Sequence, residues 1–129
     1  MFKTATTSAE PFELAPDGSE VRPLVATERG SLAHFTFPAG VTTPAVRHRQ
    51  VDEVWYIADG TGQMWRSDGS DTAIVDLGPG TGLSIPVGTS FQVSVNSDRA
   101  LLVIGVTMPP WPPEGDADIV EGVWEPTDG

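Results

Sequence analysis

The stretch GVTTPAVRHRQVDEVWYIADG, residues 40–60, decides the fold. A glycine is followed by five residues, Val46, one residue, His48, four residues, Glu53, six residues and a second glycine, Gly60. Both ends form turns, and the interior carries short strand-like runs. Val46 and His48 share one face of the first run, and Arg47 and Arg49 share the other. Burying two unpaired arginines would cost several kcal/mol each, so His48 is the inward residue. With Glu53 also inward, Trp55 and Ile57 line the same interior, and Val54, Tyr56 and Ala58 face out.

A second segment follows at 80–96. Gly80, five residues, Pro86-Val87-Gly88 and two more residues lead to Phe91. From there Phe91, Val93 and Val95 form an apolar face, while Gln92, Ser94 and Asn96 form a polar one. Around these segments, 14 glycines and 12 prolines separate short apolar runs without a long helical period, which predicts an all-β sandwich or barrel. Strands are expected near 21–27, 31–37, 42–48, 53–58, 62–66, 72–77, 82–85, 91–95 and 100–107. Turns such as Asp17-Gly18, Asp59-Gly60 and Asp68-Gly69 divide them. This divides the chain into an N-terminal arm (1–19), a barrel (20–107) and a tail rich in proline and acid (108–129). Such a tail makes a poor central strand. Its Trp111 and Trp124 place it on the outside of the barrel or across a dimer seam.

Composition narrows the partners. A chain of 129 residues is one domain. With no cysteine, disulfides, thiolate metal sites and cysteine nucleophiles are excluded. A net charge of -11 opposes nucleic acid and anionic membranes. No apolar run approaches the length of a membrane span. The first ten residues, MFKTATTSAE, lack the apolar core of a signal peptide, so a cytoplasmic protein is expected.

Together the two segments resemble the paired motifs of the cupin superfamily over roughly residues 20–107. HRQVDEVWY (48–56) and TMPPWPP (107–113) are similar to segments of small single-domain bacterial cupins. The resemblance implies a double-stranded β-helix, or jelly-roll, with a pocket at one mouth, and a homodimer. It further implies that a complete site holds a metal through three histidines and a glutamate. Those four positions are Val46, His48, Glu53 and Phe91 here, so only His48 and Glu53 can ligate. The asparagine that often closes the second motif falls on Val95.

The expected site is therefore His48 and Glu53 within an apolar wall of Val46, Trp55, Ile57, Trp65, Phe91 and Val93. A catalytic metal takes three protein ligands. Two are visible and Gln50 adds at most a weak oxygen, so a divalent metal would bind weakly and no other cofactor is expected. His34 lies on the face opposite Ala33, Phe35 and Phe37 and is no substitute ligand. A glutamate beside an imidazole raises its pKa and suits acid–base work without a metal. The leading expectation is a small-molecule pocket protein, an isomerase, cyclase or lyase type acting on a small aromatic or carbonyl compound. His48 would act as acid or base and Glu53 would orient it. A metal enzyme of dioxygenase type with a further ligand, and a binding module for a hydrophobic metabolite, are the alternatives. A buried His–Glu pair that merely satisfies itself is the bland one.

Overall fold

A computed structural model describes residues 1–10, 13–15, 17–111 and 116–127. Its regular structure is β throughout: β1 (Glu13–Leu14), β2 (Glu20–Ala26), β3 (Ser31–Phe37), β4 (Ala45–His48), β5 (Asp52–Asp59), β6 (Gly62–Ser67), β7 (Thr72–Leu77), β8 (Gly82–Ile85), β9 (Ser90–Ser94), β10 (Leu101–Met108) and β11 (Ala117–Val120). Six strands form one sheet in the order β1-β2-β3-β10-β5-β8, and five form the other in the order β11-β4-β9-β6-β7. Among the described residues no helix is long and apolar enough to cross a membrane.

Alternation explains how the sheets meet. Burial switches with every residue along β3, β5 and β10, as period-2 side chains require. The inward set, including Phe35, Phe37, Trp55, Ile57, Met64, Phe91, Val93 and Val103, forms one apolar core. Turns close where glycine adopts positive φ, at Gly60 (85°) and Gly69 (93°) among others. Gly105 has another reason to be glycine: a Cβ there would lie 2.2 Å from the Phe35 ring. The missing side chain is what lets that ring lie across β10.

Two elements escaped the sequence reading, and both lie at sheet edges. β1 pairs with β2, so the arm adds a strand to the larger sheet. β10 runs through Met108, past the expected end of the barrel at 107. The tail then returns as β11, pairing antiparallel with β4 in the register Ala117↔His48 to Val120↔Ala45. Proline and acid discourage a central strand, but an edge strand needs only one partner. Beyond β11 the chain is strapped to the outside of the smaller sheet by Gln92. This fully buried side chain donates to Thr43 O and Trp124 O and accepts from the N–H groups of Val123 and Trp124.

Candidate functional site

The site is built where β4 ends. His48 is its last residue and turns its ring inward beside Val46. Across the β4–β9 ladder Val46 faces Phe91, and the His48 and Phe91 rings stack with centroids 5.9 Å apart. Glu53 enters from β5, between Ile85 on β8 and Thr107 on β10. Its Oε2 lies 3.0 Å from His48 Nε2, and its Oε1 accepts the indole N–H of Trp55 at 3.2 Å.

The other ring nitrogen has a partner from the tail. Asp116 Oδ2 lies 2.9 Å from His48 Nδ1. Its Oδ1 accepts the backbone N–H of Gln50 at 2.8 Å, and its carbonyl accepts that of Arg49 at 2.9 Å. His48, Glu53 and Asp116 are only 5, 4 and 4 % exposed. An imidazole facing carboxylates on both sides satisfies both only with two N–H groups, as the imidazolium. Burial works against that charge, but the hydrogen bonds and charges of Glu53 and Asp116 outweigh it and raise the His48 pKa.

The arm contributes a third carboxyl group. Asp17 is buried, and its Oδ1 accepts from the backbone N–H and the hydroxyl of Ser19 at 3.0 and 2.7 Å. Burial raises its pKa; the Ser19 bonds oppose that, and the nearby Glu53 adds to it. With Ser19, Ala15, Phe35, Trp111 and Ala117, it joins Val46, His48, Glu53, Trp55 and Phe91 around one cavity. The volume is about 20 Å³, room for a single water molecule. Trp111 closes one side: its ring meets Phe35 edge-on at 6.4 Å, and its backbone N–H donates to Ser31 Oγ.

Of the expected site residues, His48, Glu53, Val46, Trp55 and Phe91 meet at this cavity. Ile57, Val93 and Trp65 do not. Ile57 and Val93 point inward but lie in the packed core away from the cavity. On β6 it is Met64, fully buried, that points inward. Trp65 takes the opposite face, opposite Gln92, and donates its indole N–H to Thr72 Oγ1. Asp17, Asp116, Phe35 and Trp111 were missed. Asp17 read as a turn residue and Asp116 as part of an acidic tail, because strand parity says nothing of residues outside strands. The short run Ala117-Asp118-Ile119-Val120 was the available hint of an edge strand beside them.

No protein-family model matches the chain, and no curated protein matches it. Solved structures do. KdgF from Halomonas sp. is 16% identical, with a TM-score of 0.70 over 84% of this chain and 94% of that one. An uncharacterised conserved protein of Klebsiella pneumoniae with a double-stranded β-helix domain is 11% identical, with a TM-score of 0.65 over 95% and 97%. Oxalate decarboxylase from Bacillus subtilis reaches 0.75 at 14% identity, over 93% of this chain but only 32% of that one. The chain has the cupin fold.

The four positions at which the resemblance implies a metal ligand are Val46, His48, Glu53 and Phe91. Val46 and Phe91 fill two of the four with apolar side chains that face one another. Both nitrogens of His48 face carboxylates, Glu53 and Asp116. Among the described residues no three His, Cys, Asp or Glu side chains are grouped to hold an ion. Of the four positions only His48 and Glu53 carry donor atoms, two where a catalytic metal takes three protein ligands.

Proposed function

We propose that the protein is a small-molecule pocket protein whose buried histidine does acid–base chemistry without a metal. The observation that carries this reading is the position of His48, with a carboxylate within 3.0 Å of each ring nitrogen at the polar end of an otherwise apolar cavity. As the imidazolium, His48 gives its Nε2 proton to a bound carbonyl oxygen that takes the place of Glu53, and the released Glu53 carboxylate accepts the proton next to the carbonyl. Glu53 and Asp116 hold the ring in place and stabilise its charge. Rings on the remaining walls exclude water, which strengthens each electrostatic contact. This is the chemistry of an isomerase, cyclase or lyase acting on a small carbonyl or aromatic compound. A compound larger than water needs a wider cavity, so turnover includes an opening step.

The test is proton exchange. A panel of small ketones and aldehydes is incubated with the protein in D2O and excess chelator, and deuterium uptake next to the carbonyl is followed by NMR. Exchange that persists in chelator and is lost in His48→Gln supports the reading. Exchange that depends on added metal, or survives His48→Gln, overturns it.

We also propose that a second copy covers the outer face of the six-stranded sheet. Val54 and Tyr56 are 43 and 53 % exposed there, and their neighbours across β10 are Val106 and Ile104.

A further inference from the structure

The charge balance of the cavity says what kind of group it admits, taking the cavity as a ligand site in the sense above. Two carboxyl groups, Asp17 and Glu53, line it together with one imidazole, and no lysine or arginine is among the lining residues. The single cation, His48, is already shared between Glu53 and a third carboxylate, Asp116. Asp17 is 7 % exposed, and both bonds from Ser19 go to Oδ1. Its Oδ2 has no hydrogen-bond partner among the described residues.

The walls point the same way. Trp55 lies within 6.0 Å of Phe35 and 5.8 Å of Phe91, and Trp111 lies 6.4 Å from Phe35. Aromatic faces attract a cation, most strongly where water is excluded. An anion entering this space meets carboxylates without a free counter-charge, and a chain of net charge -11 repels it on approach. The space, about 20 Å³, matches an ammonium group, which is close to water in size.

We propose that the cavity binds the protonated amino group of a small primary amine, with Glu53 and Asp17 as its carboxylate partners, the ammonium itself favouring the ionised form of the buried Asp17, and the aromatic rings as its wall. The natural ligand of the site would then be a small compound that carries an amino group beside whatever His48 acts on.

Three probes with the same tert-butyl body separate charge from shape: neopentylamine, neopentyl alcohol and pivalate. Binding to the full chain is read from the NMR signals of the Trp55 and Trp111 indole N–H groups. Neopentylamine is expected to bind at least about tenfold more tightly than the alcohol, with pivalate weakest. Asp17→Asn, which retains the acceptor for Ser19, should cut the preference for amine over alcohol to under about threefold. Glu53→Gln is read by the same criterion should Asp17→Asn fail to fold. Alcohol or pivalate binding as tightly as the amine overturns the proposal, as does a preference that survives the substitution. If no probe binds while His48-dependent carbonyl exchange is present, the amine inference falls and the acid–base reading stands. An amine preference without that exchange has the reverse meaning.

Discussion

His48 joins the carboxylates of Glu53 and Asp116 through one side chain. Its pKa is raised in the folded state, from an unfolded value of 6.5. A raised pKa means that the native state holds its proton more tightly. The stability this contributes is fully present below about pH 6.5 and is lost as pH rises through the folded value. The urea midpoint is therefore expected to fall between pH 6 and pH 9, and to fall less in His48→Gln. A midpoint that rises with pH would remove the imidazolium from the site. Asp116→Ala leaves a buried charge with one partner fewer, and should cost about 3–5 kcal/mol at pH 6 in the same assay. A loss within about 0.5 kcal/mol would mean that the tail carboxylate carries no weight.

At the scale of elements, pairing decides which positions can cooperate. Val46 and Phe91 face one another across β4 and β9, so histidines at both would stand beside the existing His48 and Glu53. Val46→His with Phe91→His is expected to bind one nickel or zinc per chain by calorimetry, where the wild type binds at least about tenfold more weakly. Equal affinities would show that the ladder does not present those positions to one ion. The strap over the smaller sheet depends on a different strand residue. Gln92→Leu keeps the bulk but removes four hydrogen bonds to Thr43, Val123 and Trp124. Each buried backbone group left unpaired costs about 1–3 kcal/mol. Limited proteolysis should then cut the tail after β11 faster than in the wild type, and unchanged cleavage would show that β11 alone holds it.

For the whole molecule, the question is what covers the outer face of the larger sheet. Two large apolar side chains, Val54 and Tyr56, stand exposed there, with Ile104 and Val106 beside them on β10. Such a face invites a partner. Sedimentation at micromolar concentration is expected to give a dimer, and Tyr56→Glu should convert it to a folded monomer. A wild-type monomer across that range, or a dimer indifferent to Tyr56→Glu, would place any contact elsewhere.

The residues themselves determined that the chain is all β, where nine of its strands lie, and that His48, Glu53 and Trp55 share an interior with Val46 and Phe91. Those conclusions rest on a period of two within each strand and on glycine at the turns, which are local properties and survive in a single sequence. Tertiary structure alone decided the rest. It turned Trp65 away, because on β6 the inward position belongs to Met64. It brought Asp17 from the arm to the cavity and Asp116 from the tail to His48, and it reduced the cavity to the size of a water molecule with Trp111 among its walls. Arm and tail positions depend on strand pairings between residues far apart in sequence, such as Ala117 with His48, and no periodicity within either segment records them.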